Sequence, residues 1–322
     1  MDATGQVAVI DIRNVMREKI ERWWLNLIRL YTFHTPVAKG KYRLYQTALD
    51  VCRFPPKEIE AKTHDGRCYS LDLTEPMHQS VFFLGEYERA VTDVISSVVA
   101  EGDVCLDIGA NFGWYTMLLQ HLCGGLDTGG EIHAFEPMPD IFTELKRNWK
   151  LAGEPENIHL NNLALGDEAK MIDIHRFTNL SSGFSSFSTD GKSEFQTFSV
   201  PMTTLNSYLN KENMRDVDFV KIDVEGAELM FLHGATKLFE QKTPPVIMAE
   251  MALGTTKGFG YLPNDLIVFM RECAAYEFYA LDDFNGALRR ITGFAPDDIG
   301  ANVLCVPENC EPERLQKLKF IK

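Results

Sequence analysis

The sequence predicts an α/β protein: a mostly parallel sheet covered by helices on both faces, preceded by a helix and a small strand pair. Three observations carry this. From Val91 onward short apolar runs alternate with helical patterns, the order that gives parallel strands joined by crossover helices. One run, VCLDIG at 104–109, ends in an acid and a glycine before a helical pattern resumes, a layout suited to bringing backbone N–H groups up to a ligand. Polar residues close the other runs as well: Asp107, Glu136, Asn162, Asp223 and Glu250. In an open α/β sheet ligands lie beyond the carboxyl ends of the strands.

Along the chain, residues 16–33 (MREKIERWWLNLIRLYTF) place Ile20, Trp23, Trp24, Leu27 and Tyr31 on one helical face, opposite Arg22, Asn26 and Arg29. Such a stripe is first of all a packing face, against the main domain or a second subunit in a homo-oligomer. A membrane surface is the alternative, given the Trp pair and the basic residues continuing to Lys39, Lys41 and Arg43. EIEAKTHDGRCYSLDL alternates on both sides of Asp65-Gly66, the dipeptide of a hairpin turn. The expected division is a helical extension at 1–58, a hairpin or cap at 59–90 and a ligand-binding domain at 91–322. In that domain DVCLDI, EIHAFEP, NIHLNNLAL, VDFVKIDV, PPVIMAEM, EFYALDD and ANVLCVP read as strands, with helices at 114–123, 139–151 and 225–239. Residues 179–195 are rich in Ser and Gly and read as a loop, either a linker or a lid.

Composition narrows the function classes. With 322 residues, 45% hydrophobic and 24% charged, the chain has globular composition. A net charge of -14 disfavours a nucleic-acid partner. The apolar stretches are too short for a transmembrane segment and the N-terminus lacks signal-peptide character, so the expected location is cytoplasmic. Seven scattered cysteines without a CxxC read as reduced thiols.

The glycine turn fits a dinucleotide poorly. Counted from Gly109, the three fingerprint positions hold Gly109, Asn111 and Trp114, and two of the three are not glycine. Asn tolerates positive φ, so the turn itself is feasible. Glu136, 23 residues beyond Gly113, stands where a carboxylate grips a ribose diol. A set of carboxylates at strand ends suits a cation such as S-adenosylmethionine better than it suits phosphates.

Five motifs in order, LDIGANFGWYT, AFEP, LALGD, VDFVKIDVEGAE and NVLCVP, with GEYERA and SSGFSSF, resemble the FkbM family of S-adenosylmethionine-dependent methyltransferases over residues 60–310. The resemblance implies a Rossmann-like, class I methyltransferase three-layer sandwich with a mostly parallel seven-stranded sheet, and O-methylation of a sugar, glycan or natural-product hydroxyl. By position it implies Asp107, Gly109, Asn111, Gly113 and Thr116 around the methionine part, Glu136 on the ribose, Asn162 and Ala164 at the adenine, and Asp223 beside the donor. Tyr87 and Glu88 would line the acceptor pocket.

Methyl transfer requires alignment of a hydroxyl and removal of one proton. Asp223 is the first candidate base, with Glu225 beside it and Glu250 as a second base or orienting group. Asp223 as a cap and Glu225 as a first-turn acid are the structural alternatives. The three carboxylates also form a candidate set for a divalent metal, whose need the sequence leaves open. His133 and His233 read as packed or surface groups. Two other functions stay in view: an NAD(P)-dependent nucleotide-sugar oxidoreductase, against which the broken fingerprint and the lack of Tyr-x-x-x-Lys speak, and a non-catalytic S-adenosylmethionine-binding scaffold.

Overall fold

The computed structural model describes residues 12–35, 40–53, 55–177, 185–186 and 195–321, and the chain divides into two compact units, Met1–Tyr87 and Glu88–Lys322. The first unit holds helices α1 (Ile12–His34) and α2 (Lys41–Asp50), the hairpin β1 (Ile59–Lys62) and β2 (Cys68–Leu71), and helix α3 (Pro76–Leu84). The hairpin pairs Ile59 with Leu71 and Lys62 with Cys68. Its turn uses Gly66 at φ 89°, and the Asp65 carboxylate accepts from Arg67 Nε at 2.9 Å. Helix α1 buries Leu25, Ile28 and Thr32, and Thr32 Oγ1 donates to the Phe83 carbonyl at 2.6 Å. The expected apolar stripe is not buried within the chain: Ile20, Trp23, Trp24, Leu27 and Tyr31 are 41–64% exposed. The face that packs within the chain is narrower and partly polar.

The second unit begins with α4 (Arg89–Val98), β3 (Val104–Ile108), α5 (Trp114–Cys123), β4 (Glu131–Phe135), α6 (Pro139–Leu151) and β5 (Ile158–Asn161). There follow the strands β6 (Ala164–Leu165), β7 (Lys170–Phe177), β8 (Ser185–Ser186) and β9 (Phe195–Thr203). The chain continues through α7 (Leu205–Glu212), β10 (Phe219–Ile222), α8 (Glu228–His233), α9 (Lys237–Glu240) and β11 (Val246–Ala252). It closes with α10 (Leu253–Thr256), α11 (Pro263–Cys273), β12 (Tyr276–Asp282), β13 (Ala287–Ile291), β14 (Gly300–Pro307) and β15 (Phe320–Ile321).

One sheet runs in the order β15-β13-β12-β14-β11-β10-β3-β4-β5. From β5 to β11 the pairs are parallel, and β14 runs antiparallel to both β11 and β12. The expected seven strands are the inner run from β5 to β12; β13 and β15 extend that edge. Strands β3 and β10 are buried at every position, the burial expected of central parallel strands covered on both faces. Their side chains Leu106, Ile108, Val220 and Ile222 join Ile247 and Val303 in the core.

Two features differ from the sequence expectation. NIHLNNLAL splits between β5 in the main sheet and β6 in a separate four-stranded sheet of order β6-β9-β7-β8, which the strand count did not include. The single helix expected at 225–239 is two, α8 and α9, interrupted at Gly234 and Ala235. A Cβ at Gly234 would lie 1.9 Å from the Gly166 carbonyl oxygen, so the chain approaches there more closely than any side chain allows. The linker or lid at 179–195 falls outside the described residues except for β8 and Phe195. All seven cysteines are free thiols, Cys105 and Cys123 with their Sγ atoms 3.2 Å apart in the core. Gly234→Ala is therefore expected to destabilise the fold by about 1–3 kcal/mol, the scale of overpacking at a closed contact; a urea midpoint equal to wild type would contradict this.

Candidate active site

The site is built at the carboxyl ends of β3, β4, β10 and β11. The turn after β3 is formed by Gly109, Asn111 and Gly113, at φ 84°, 50° and 95°. A Cβ at Gly109 would lie 1.8 Å from the Asp223 carbonyl oxygen, so glycine there is dictated by the neighbouring strand end. A Cβ at Gly113 would meet Leu145 at 2.6 Å.

The turn's donors are all engaged within the protein. Gly109 and Ala110 N–H donate to the Phe135 carbonyl at 3.0 and 2.9 Å, and Gly113 N–H to the Ala110 carbonyl at 2.9 Å. Asn111 N–H donates to Glu136 Oε2 at 3.0 Å, and Phe112 N–H to Asn111 Oδ1 at 2.8 Å. The expectation that the turn offers N–H groups to a ligand is thus corrected: the Phe135 carbonyl, the Glu136 carboxylate and oxygens of the turn itself consume them. What the turn region presents instead is oxygen, which suits a cation and not a phosphate.

Asp107 is buried at the end of β3 and accepts from the equally buried Thr116 Oγ1 at 2.5 Å. Its other oxygen, Oδ1, is buried with no partner, and burial raises its carboxyl to about 6. Glu136 follows β4 and is also buried; Met138 N–H donates to its Oε1 at 2.8 Å. Burial pushes it up to about 7. Asn162 is exposed and turns its Nδ2 onto the Glu136 and Pro137 carbonyls at 2.9 and 3.0 Å. Ala164 is buried in β6 against the small core that includes Met138 and Ile141.

The second half of the site follows β10. Asp223, Glu225 and Glu250 bring carboxylate oxygens within 4.8 Å of one another. Glu225 has φ 52°, and burial, then Asp223 and Glu250, raise it to about 9. Glu250, in β11, is raised to about 8 by burial and then by Asp223. Glu228 secures the turn, accepting from Gly226 N–H at 3.0 Å and from Tyr261 Oη at 2.9 Å. Glu88 accepts from Tyr115 Oη at 2.5 Å, and its charge acts on Lys221 and Glu250. Tyr87 is the last residue of the first unit.

The sequence reading assigned no role to Lys221. Its side chain is fully buried, its Nζ lies 3.0 Å from Asp223 Oδ2, and it sits 5.2 Å from the Tyr115 ring centroid. Burial alone would lower its pKa, but Asp223, Glu88 and Glu250 outweigh that and raise it. The available signal was a lysine inside the apolar run DFVKID, where a cation survives only if paired.

The family model described as the methyltransferase FkbM domain matches residues 107–275. A hexuronic acid methyltransferase, AglP of Haloferax volcanii, is 28% identical over 153 residues, which are 48% of this chain and 58% of that protein. Among solved structures, a methyltransferase FkbM from Methylobacillus flagellatus overlaps with a TM-score of 0.41 at 12% identity, covering 91% of this chain and 60% of that one. An S-adenosylmethionine-dependent O-methyltransferase from Thermotoga maritima overlaps with a TM-score of 0.39 at 13% identity, covering 82% and 83%.

The raised acids fix a sign for the pH dependence. In the unfolded chain Glu225 and Glu250 lose their protons near 4.5, in the fold near 9 and 8. Their contribution to stability is therefore complete below about pH 4.5 and is lost as the pH rises through the folded values. Glu225→Gln and Glu250→Gln keep the shape of the protonated acid. Each is expected to flatten the fall in ligand-free unfolding free energy between about pH 5 and pH 9; urea titrations showing the same slope in wild type and variants would reject the assignment.

Proposed function

The chain belongs to the FkbM methyltransferase family, and from that premise we propose that it is an S-adenosylmethionine-dependent O-methyltransferase acting on a hydroxyl of a sugar, glycan or related small molecule. The observation that carries the cofactor is the glycine turn, whose N–H groups are consumed internally while carboxylates surround it. The buried, unpartnered Asp107 Oδ1 adds an acceptor to the same region. These groups fit a sulfonium and an amino group. The sugar class is supported by the likeness to a hexuronic acid methyltransferase.

When bound, S-adenosylmethionine supplies a methyl group already activated on a positive sulfur. The protein then has to orient, exclude water and move one proton. In this reading Gly109, Asn111, Gly113, Asp107 and Thr116 enclose the methionine part, and Glu136 accepts from the ribose diol. Each Glu136 oxygen holds one backbone N–H and keeps acceptor capacity for a hydroxyl. Asn162 and Ala164 border the adenine, with Asn162 also fixing the chain after Glu136.

Asp223, in ion pair with Lys221, takes the hydroxyl proton as the oxygen attacks the methyl carbon. Glu225 and Glu250, raised to about 9 and 8, hold their protons at neutral pH and donate hydrogen bonds that orient the acceptor. Glu88 and Tyr87 belong to the acceptor side of the proposal. A divalent cation, if required, would be held by Asp223, Glu225 and Glu250 and would acidify the hydroxyl; Lys221 already occupies one Asp223 oxygen and competes with it.

Asp223→Asn is expected to lower turnover on a panel of sugar and hexuronic acid acceptors by about 10²-fold or more, with S-adenosylhomocysteine affinity nearly unchanged. Full activity in the variant rejects Asp223 as base; loss of wild-type activity in EDTA with recovery in Mg²⁺ installs the metal. No turnover by wild type on any acceptor, with S-adenosylhomocysteine still bound, favours the non-catalytic scaffold. In calorimetry Glu136→Ala is expected to weaken S-adenosylhomocysteine binding by roughly 2–3 kcal/mol, and an unchanged Kd in the folded variant removes Glu136 from the ribose.

A further inference from the structure

Helix α1 carries an apolar face that the fold leaves in solvent. Trp23, Met16, Ile20, Leu30 and Tyr31 are 54–64% exposed, with Leu27 and Trp24 beside them at 45% and 41%. At 100° per residue these seven fall within one arc of about 120°, opposite Leu25, Ile28 and Thr32. Exposed cations flank the arc: Lys19 at one edge with Arg22 further round on that side, and Arg17, in an ion pair with Glu21 at 2.8 Å, at the other. The start of α2 repeats the composition, with Tyr42, Arg43 and Leu44 exposed.

Charge selects the occupant. Between residues 12 and 53 the sequence has nine Lys or Arg against three Asp or Glu, a local +6 in a chain of net charge -14. An apolar arc edged by cations, with two Trp and a Tyr in it, matches a surface that is hydrocarbon beneath and negative at the headgroups. Aromatic rings with a polar edge settle at that boundary. Among the described residues no helix is long and apolar enough to cross a membrane, so the mode is lying on the surface and not spanning it. We propose that α1 is an interfacial helix that docks the protein on an anionic lipid surface through Trp23, Trp24 and Leu27. This inference is independent of the methyl-transfer reading.

The test uses the full chain with phosphatidylglycerol–phosphatidylcholine vesicles and with phosphatidylcholine alone. Wild type is expected to cosediment with the anionic vesicles, to release as salt is raised and to shift its tryptophan emission to the blue. Of the four tryptophans Trp23 and Trp24 are the exposed reporters, Trp149 being half-buried and Trp114 only 3% exposed. Trp23→Ser with Leu27→Ser is expected to reduce partitioning by about tenfold or more, and Lys19→Glu with Arg22→Glu to reduce it on anionic vesicles alone. These side chains are exposed, so thermal melts matching wild type accompany both. Failure of wild type to cosediment overturns the proposal, as does binding that neither double variant weakens. A wild-type dimer in sedimentation velocity that the serine variant dissolves, without vesicle binding, assigns the face to a second copy instead.

Discussion

The site depends on how closely the ends of two central strands approach. Asp223 N–H donates to the Ile108 carbonyl at 2.9 Å, and the Asp223 carbonyl lies where a side chain on residue 109 would begin. Parallel pairing sets Lys221 opposite Asp107. With that register, the glycine turn and the acidic turn emerge side by side. Widening the contact by a single methyl group would separate the half assigned to the cofactor from the half assigned to the proton. Gly109 is thus a packing requirement before it is a binding one.

Burial then gives the acids different characters. Asp107, Glu136, Glu225 and Glu250 are all pushed upward by loss of water, to about 6, 7, 9 and 8, while a single buried ammonium stands on Asp223. One lysine cannot neutralise so many carboxylates. Glu225 and Glu250 therefore keep their protons near neutrality, while Asp107 and Glu136 lie close to the point where they lose them. A cationic ligand entering such a site meets acceptors whose own protonation it will perturb, which couples binding to pH.

Much of this was legible in the sequence where one signal acted alone. Helices α5 and α6 were expected at 114–123 and 139–151 and occupy Trp114–Cys123 and Pro139–Leu151, because the glycine cluster and Pro139 mark their starts. The order of polar strand ends was legible for the same reason. Partners across the fold were not. Where the N–H groups of residues 109–113 go is decided by Phe135 and Glu136, a pairing that local pattern does not encode. Lys221 stood in plain view within a strand, yet its meaning comes from a carboxylate two residues on that folds back onto it. For the apolar face of α1 periodicity reports that a stripe exists, not what covers it.

The uneven charge of the chain bears on how an acidic protein can meet an acidic surface. Residues 12–53 carry +6 and the rest of the chain -20, so bulk charge predicts repulsion from anionic lipid. Screening changes the balance, since at physiological ionic strength charges more than about 8 Å apart act weakly on one another. Cations beside the apolar arc, at contact range of the headgroups, therefore count for more than the bulk charge does. Raising salt should weaken that contact, because the attraction also is electrostatic at its edge. It should weaken it less than for a purely basic patch, because the seven apolar and aromatic side chains of α1 contribute a hydrophobic term that salt does not screen.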